Sequence, residues 1–233
     1  MTEKYSVPLK NRVFRSFAIP FFRLLYRALA RIRITGMENV PVGQPYVVAM
    51  NHVSYYDPPF VMSYWPETLE AIGASELWKT RWQNLLVGNY GGIKAHRGEY
   101  DRELIRVVVN VLNSGYPLII APEGARTRRP GLHEARPGIA FMLERVQVPV
   151  VPVGVVGSTD DFAARAFSFK KPMIEMHIGR PFFLPPVEGR GNERRLARQK
   201  NTDRVMGHIA ALLPEEYRGV YADRVIPEDS NEG

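Results

Sequence analysis

Residues 46–58 read YVVAMNHVSYYDP and place a short apolar run directly before a polar one. The run at 46–50 is uncharged and contains β-branched and aromatic side chains, a pattern that predicts a buried strand. His52 lies just past the carboxyl end of that strand, where open α/β sheets form their ligand sites. Asp57 and Pro58 are a favourable N-cap and N1 pair, so a helix is expected to begin there. The stretch therefore predicts a strand, a loop that carries chemistry and a helix.

The alternation of strands and helices continues along the chain. Apolar and β-branched runs predict further strands at residues 71–74, 117–121, 148–156 and 174–178. Apolar residues at helical spacing predict helices at residues 58–64, 78–88, 102–113, 136–144 and 203–213. Residues 184–201, rich first in proline and then in arginine, are expected to be a connector. We expect an α/β fold with a mostly parallel sheet flanked by helices.

Composition limits the class of protein. The chain has 233 residues, 45% of them hydrophobic, and no cysteine. A sizeable core can be buried, and a disulfide scaffold, a thiolate metal site and a cysteine nucleophile are excluded. We expect a basic amphipathic helical segment at residues 1–35, an α/β core at 36–185, and a basic connector with a final helix and tail at 186–233.

The excess of positive charge is local to the amino-terminal segment. The formal net charge is +7, and residues 1–35 hold eight basic side chains against the single acid Glu3. Basic and acidic side chains balance over the remainder of the chain. Because the charge is not spread over the molecule, no nucleic-acid partner is expected.

Residues 12–32 have the pattern of an amphipathic helix, with arginines on one side and aromatic and aliphatic side chains on the other. Pro20 predicts a kink or a division into two short helices. Arginine on successive turns suits an anionic lipid surface, although the apolar face could instead pack on the domain. No transmembrane helix or signal peptide is expected, since arginines interrupt the apolar run. The residues expected to dock on a membrane are Arg12, Arg15, Phe17, Phe21, Arg23, Leu24, Arg27 and Arg31.

Three segments carry polar side chains in positions that suit a site. They read NHVSYYD at residues 51–57, GGIKAHRG at 91–98 and APEGART at 121–127. Each has an ordinary alternative when taken alone: a helix cap beside a core histidine, a solvated edge strand, and a charged loop in which Glu123 pairs with an arginine. The chain contains no G-x-S-x-G elbow, no H-E-x-x-H and no P-loop. Its five histidines are scattered, so no metal site is predicted.

The three segments, together with the later apolar block VVPV at residues 150–153, resemble the PlsC-like glycerolipid acyltransferases, the lysophosphatidic acid acyltransferases. That family shows N-H-x-S-x-x-D, the HX4D motif, then a block ending in arginine, then F-P-E-G-T-R-S, then a proline-containing apolar block. Here Ala121 and Ala125 replace the phenylalanine and the threonine of the third block. The resemblance covers roughly residues 20–180.

The resemblance implies transfer of a fatty acyl group from acyl-CoA or acyl-ACP, without a further cofactor, to the hydroxyl of a lysophospholipid such as 1-acyl-sn-glycerol 3-phosphate. His52 would act as general base and Asp57 would orient it, because a free histidine has a pKa of about 6.5 and suits base catalysis at neutral pH. Asn51 and Ser54 would support them, and Pro152 would form a wall of the acyl pocket. The residues implied for the acceptor phosphate are Lys94, Arg97, Glu123, Gly124 and Arg126.

Several alternatives stay open at this stage. The acceptor could be glycerol 3-phosphate, another lysophospholipid or a different lipid alcohol, and water as acceptor would make the protein a hydrolase. A non-catalytic module that binds membranes or nucleic acid is the alternative from another class. The expected location is the cytoplasmic face of a membrane, in peripheral or monotopic attachment.

Overall fold

Seven strands form one sheet in the part of the chain that the structure describes. A computed structural model describes residues 4–96, 101–168 and 170–227. The order across the sheet is β1-β7-β6-β2-β5-β3-β4, and every neighbouring pair is parallel except β6 and β7. The expected α/β fold with a mostly parallel sheet is confirmed. The strands are β1 (Arg31–Thr35), β2 (Val47–Met50), β3 (Glu70–Ala74), β4 (Ile93–Ala95), β5 (Leu118–Ile120), β6 (Val150–Val156) and β7 (Met173–Ile178).

Helices cover both faces of the sheet. They are α1 (Leu9–Leu29), α2 (Asp57–Tyr64), α3 (Arg81–Tyr90), α4 (Arg102–Asn113), α5 (Gly138–Leu143), α6 (Phe162–Phe167), α7 (Gly191–Ala211) and α8 (Glu215–Arg218). One apolar core contains residues of α4, α5 and α7, and the other contains residues of α1, α2 and α6. The expected division of the chain at residues 35 and 185 stays a prediction.

The central strand β2 is buried on both faces, which explains its uninterrupted apolar sequence. Val47 and Ala49 pack in the core beneath α4, α5 and α7. Val48 and Met50 point to the opposite face and pack beneath α1, α2 and α6. Because β2 lies between β5 and β6, the loops that follow these three strands meet at one edge of the sheet.

The predicted amphipathic helix has different bounds in the structure. It begins at Leu9 and ends at Leu29, and it runs as a single helix through Pro20. Residues 31–35 form β1 instead, with three exposed residues alternating with half-buried Ile32 and Ile34 beside β7. The expectation of a helix to residue 32 is wrong there, because RIRIT has the two-residue period of a strand.

The predicted connector at residues 184–201 is largely helical. The helix α7 begins at Gly191 and continues without a break through the helix expected at residues 203–213. Arginine, glutamine, lysine and alanine dominate its first half and are good helix formers, which accounts for the extension.

A buried polar network fixes α1 to the sheet. The guanidinium of Arg15 donates to both carboxylate oxygens of Glu70 on β3, at 2.5 Å and 2.7 Å. The hydroxyl of Tyr5 donates to the same carboxylate at 2.8 Å, and Asn11 donates to the backbone of α3. Arg15 was expected to dock on a membrane, and this is wrong because its guanidinium is buried and occupied.

Large apolar side chains on α1 face solvent. They lie three or four residues apart along the helix, and we call them the exposed stripe: Leu9, Val13, Phe17, Phe21 and Leu24. Arg12 and Arg27 are also exposed, whereas Arg23 is half-buried and its Nε donates to the carbonyl of Ser63. Within residues 4–96, 101–168 and 170–227, the helices all lack the combination of length and apolar character needed to cross a bilayer.

Candidate active site

His52 and Asp57 meet in the loop between β2 and α2. The Nδ1 atom of His52 lies 2.9 Å from Oδ2 of Asp57. When Nδ1 donates to this carboxylate oxygen, the Nε2 of a neutral imidazole is the nitrogen with the free lone pair. The His52 side chain is 18% exposed and lines a cavity, whereas Asp57 is fully buried. The two residues singled out in the sequence therefore lie in the arrangement of a base with an orienting carboxylate.

Two serines satisfy the buried carboxylate of Asp57. The backbone N–H of Ser54 donates to Oδ2 at 2.8 Å, and its hydroxyl lies 3.4 Å from Oδ1. The hydroxyl of Ser158 donates a short hydrogen bond to Oδ1. A buried carboxyl group without such donors would destabilise the fold, and these contacts also fix its position.

Asn51 links the loop after β2 to the end of β6. Its amide Nδ2 donates to the carbonyl of Val155 at 2.9 Å, and its Oδ1 accepts from the N–H of Val155 at 2.7 Å. Gly157 follows with a φ of +86°, and a Cβ there would collide with the carbonyl of Met173. Glycine is therefore required at the turn that delivers Ser158 to Asp57.

Glu123 joins the loop after β5 to the same site. Its Oε1 accepts from the backbone N–H of His52 at 2.9 Å, and its Oε2 accepts from that of His133 at 3.0 Å. Burial raises the pKa of this carboxyl to about 7, opposed by the two N–H groups and reinforced by the charge of Asp57. Glu123 was expected to help bind a phosphate, and this is wrong because it does not line the cavity and its two carboxyl oxygens hold the two loops together.

A cavity of about 1050 Å³ opens beside His52, at the upper end of the usual size of ligand sites. One part is apolar and is bounded by α1, α2, α3 and α4; the residues there include Phe14, Ala18, Phe22, Pro59, Met62, Leu86, Val87 and Leu104. Another part is cationic and is bounded by the loop after β5 and by α7; the arginines there are Arg126, Arg128, Arg136, Arg195 and Arg198.

Arg126 and Gly124 line the cavity where the third sequence block predicts them. The guanidinium carbon of Arg126 lies 3.4 Å from the centre of the Tyr55 ring, and its Nη1 lies 3.7 Å from Oδ1 of Asp160. Stacking on an aromatic face restricts the orientation of a guanidinium while leaving donors on its edge. Arg126 is therefore a prepared anion-binding group next to the histidine loop.

Three other residues predicted for the site are not found to line the cavity. Lys94 points away from the cavity, with its Nζ 5.2 Å from the centre of the Trp78 ring, so the expected phosphate contact is wrong. Pro152 is buried in β6 opposite Ala49 and does not line this cavity, so the expected acyl-pocket wall is wrong. Arg97 lies outside the described residues.

Sequence reasoning missed Ser158, Arg136 and Arg195, whereas Arg128 was indicated by the dense positive charge after β5. Ser158 is separated from Asp57 by 101 residues and follows an apolar strand without any motif of its own. Arg128 has a φ of +64°, uncommon for a residue with a side chain, and its N–H donates to the carbonyl of Val53. Among the described residues, no group of three or more histidine, aspartate or glutamate side chains is arranged to hold a metal ion.

A family model described as Acyltransferase matches residues 31–156, which include the loops that follow β2 and β5. The 1-acyl-sn-glycerol-3-phosphate acyltransferase alpha of Homo sapiens is 25% identical over 164 residues, which are 69% of this chain and 56% of that protein. The Mus musculus protein of the same name is 25% identical over 165 residues, with the same coverage. The chain thus spans about half the length of these curated relatives.

The fold is similar to that of a solved structure. It is the crystal structure of the 1-acyl-sn-glycerophosphate (LPA) acyltransferase PlsC from Thermotoga maritima, with a TM-score of 0.60 and 20% identity. The match covers 84% of this chain and 79% of the other. The family model spans more than half of the sequence and contains both the His52–Asp57 pair and the Glu123 loop, and the chain belongs to the acyltransferase family.

Proposed function

We propose that the protein transfers a fatty acyl group from an acyl thioester to the free hydroxyl of 1-acyl-sn-glycerol 3-phosphate, giving phosphatidic acid. The observation that carries the proposal is the position of His52, paired with buried Asp57 where the apolar and cationic parts of one cavity meet. An acceptor of this kind has an acyl chain for the apolar part and a phosphate for the arginines.

His52 acts as the general base. Its Nε2 takes the proton of the acceptor hydroxyl while the hydroxyl oxygen attacks the thioester carbonyl. The tetrahedral intermediate breaks the carbon–sulfur bond, and the departing thiolate takes the proton from the imidazolium. Asp57 holds the ring through Nδ1 and stabilises the positive charge that the ring carries between the two proton transfers.

Arg126 and Arg128 bind the acceptor phosphate. Both line the cavity, and the backbone of Arg128 is hydrogen-bonded to the loop that carries His52. Arginine suits this task because its planar fork donates two parallel hydrogen bonds to a phosphate. Fixing the phosphate sets the distance from the hydroxyl to His52, an orientation effect on the rate. Arg97 remains a candidate for the same phosphate from its place in the second sequence block.

The exposed stripe on α1 docks the protein on the surface of a membrane. Phe17 and Phe21 are 72% and 61% exposed, and soluble proteins seldom leave large apolar side chains aligned in solvent. Exposed Arg12, Arg27 and Arg31 are available to anionic headgroups. The same helix contributes Phe14, Ala18 and Phe22 to the apolar part of the cavity, so the docked helix stands between lipid and site.

The deciding experiment measures thiol release from acyl-CoA, with and without 1-acyl-sn-glycerol 3-phosphate, for the native protein and for His52→Ala. We expect release that depends on the acceptor and falls by about 10²- to 10⁴-fold in His52→Ala. His133→Ala is the matched control, because its exposed side chain does not line the cavity. Release without acceptor that still needs His52 would instead indicate a hydrolase, and full activity of His52→Ala would overturn the assignment of the base.

A further inference from the structure

Three arginines of the cavity, Arg128, Arg136 and Arg195, have no acidic partner in the described part of the chain, and the last two are not used in the proposed function. Arg136 lies just before α5 and Arg195 lies in the first half of α7; both line the cavity and both are exposed. No carboxylate of the described residues lies within ion-pair distance of either guanidinium. Their charge is therefore available to a ligand at the cavity mouth.

The neighbouring arginines of α7 differ in this respect. Arg194 and Arg198 both donate to the carboxylate of Glu144, which lies at the end of α5, and the guanidinium of Arg198 also covers the ring of Phe141. Glu144 thus neutralises part of the charge of these two side chains and joins α7 to α5. Arg195 lies between them in sequence and is left uncompensated.

The backbone brings Arg136 and Arg195 to the same side of the cavity. Gln199 lies one helical turn after Arg195, and its side-chain amide donates to the carbonyl of Ala135 at 3.5 Å. Ala135 directly precedes Arg136, whose own N–H donates to the carbonyl of Pro122 at 3.1 Å. These two hydrogen bonds join α7, the segment before α5 and the loop after β5. The side chains of Arg136 and Arg195 therefore start from backbone segments that are held next to each other.

We infer that Arg136 and Arg195 bind the phosphate groups of coenzyme A when acyl-CoA enters the site as donor, an inference that rests on the proposed function. The acceptor carries one phosphate, for which Arg126 and Arg128 are already in place near His52. Coenzyme A carries a diphosphate and a 3′-phosphate at the far end of its pantetheine arm from the thioester. A second pair of arginines suits those phosphates, since Arg136 and Arg195 have no acidic partner among the described residues, whereas Arg126 faces Asp160 and the adjacent Arg194 and Arg198 are paired with Glu144.

The test compares two donors that share an acyl chain and differ in phosphate. The first is acyl-CoA and the second is the acyl thioester of N-acetylcysteamine, which has no phosphate. For Arg136→Ala/Arg195→Ala at saturating acceptor, we expect kcat/KM for acyl-CoA to fall about 10- to 100-fold. The kcat/KM for the N-acetylcysteamine thioester and the KM for the acceptor should stay within about twofold of native. Lys200→Ala removes an equivalent charge from an exposed position of α7 that does not line the cavity and should leave both donors unaffected.

Equal losses with both donors would overturn the inference, because the arginines would then support the fold or the chemistry and not the phosphates. Acyl-ACP is assayed as a further donor, and a loss confined to it, with acyl-CoA unaffected, would also overturn the inference and assign the pair to a carrier protein. If the native protein transfers no acyl group from either thioester donor, the proposed function fails together with the inference. Transfer by the native protein with no donor discrimination in the variant leaves the proposed function standing.

Discussion

The hydroxyl of Ser158 ties the His52–Asp57 pair to the segment that follows β6, the neighbour of the central strand. It donates to Oδ1 of Asp57, while Oδ2 is left to Ser54 and to the ring of His52. Without it, the carboxylate can rotate, and the imidazole that it orients loses a fixed direction. Ser158 is thus a positioning residue that acts through Asp57.

We expect Ser158→Ala to lower kcat about tenfold with little change in KM, since a hydrogen bond to a charged group contributes about 1.5–3 kcal/mol. The acidic limb of the pH–rate profile should move to higher pH, because a carboxylate with one donor fewer attracts the imidazolium more strongly. Steady-state kinetics across the pH range measure both effects. Ser168→Ala, at an exposed serine, is the control. If Ser158→Ala keeps the native pH profile and only lowers the melting temperature, Ser158 has a structural role alone.

Glu123 should make the stability of the protein depend on pH in an unusual direction. Burial raises its pKa from an ordinary 4.5 to about 7, so between these values the folded chain binds a proton that the unfolded chain has released. Stability therefore falls as pH rises across this window, by an amount on the order of 3 kcal/mol.

Urea unfolding at several pH values compares native protein with Glu123→Gln. We expect the decline of the free energy of unfolding between about pH 5 and about pH 8 to be smaller in the variant, since glutamine does not titrate there. Glu134→Gln, at an exposed position nearby, should retain the native slope. Parallel curves for all three proteins would contradict the raised pKa.

At this scale, the sequence predicts site residues that belong to one short motif. It does not predict residues that come from distant parts of the chain and meet only in the folded structure. His52 and Asp57 were predicted because strand, loop and helix lie together within a few residues. Ser158 could not be, because only the pairing of β6 beside β2 brings it to Asp57. Lys94 has the positive charge that a phosphate site needs, but side chains alternate between the two faces of β4, and that of Lys94 lies on the face toward Trp78. A shift of one residue along the strand would reverse the face, and the sequence alone does not fix that register.

At the scale of elements, α1 is held by charge as well as by apolar packing. Arg15 and Glu70 form a buried, bidentate pair, and both partners are desolvated. A buried pair contributes little net stability relative to apolar side chains, but the removal of one partner leaves the other uncompensated.

We expect Arg15→Met to destabilise the protein by about 3–5 kcal/mol and Arg15→Met/Glu70→Met to recover most of that loss. Chemical denaturation of the single and double variants measures the coupling. Arg12→Met removes an exposed arginine one turn earlier and should change stability by less than about 0.5 kcal/mol. A double variant that is less stable than Arg15→Met would show that the pair itself stabilises the fold.

The sequence could indicate that α1 is a basic amphipathic helix, but not which of its arginines are solvated. Every arginine looks alike on a helical wheel, and the partner of Arg15 is a lone glutamate 55 residues later at the start of β3. The first half of α7 was predicted as a connector, because the prolines at 185 and 186 and the many arginines that follow are typical of an irregular segment. Local propensity there favours the helix that forms.

At the scale of the whole molecule, the exposed stripe and the side chains that α1 gives to the apolar part of the cavity lie on adjoining faces of one helix. Phe17 and Phe21 face outward, and Phe14 and Phe22 face the cavity. A lipid surface in contact with the stripe would therefore hold acceptor molecules close to the opening of the cavity.

We expect Phe17→Ser/Phe21→Ser to weaken binding to anionic vesicles at least about 100-fold, because each phenylalanine that inserts contributes about 1.5–3 kcal/mol. Cosedimentation with vesicles measures binding, and thermal unfolding without lipid should be nearly unchanged, since neither ring is buried. Phe183→Ser is the matched control, at a ring that is 60% exposed after β7. Equal vesicle binding by Phe17→Ser/Phe21→Ser and by the control would contradict the proposal that the exposed stripe binds the membrane.

The place of β2 in the sheet also sets the order in which the chain can acquire its site during synthesis. Its hydrogen-bonding neighbours are residues 118–120 on one side and 150–156 on the other, so nothing made before them can hold the histidine loop. Parallel pairings between distant segments form slowly, and the aromatic side chains of α1 leave the ribosome long before these partners exist. A nascent chain thus exposes the aromatic side chains of α1 well before the His52 loop can be held in place. If the stripe docks on lipid as proposed, a chain halted before residue 150 would bind a bilayer without a formed site.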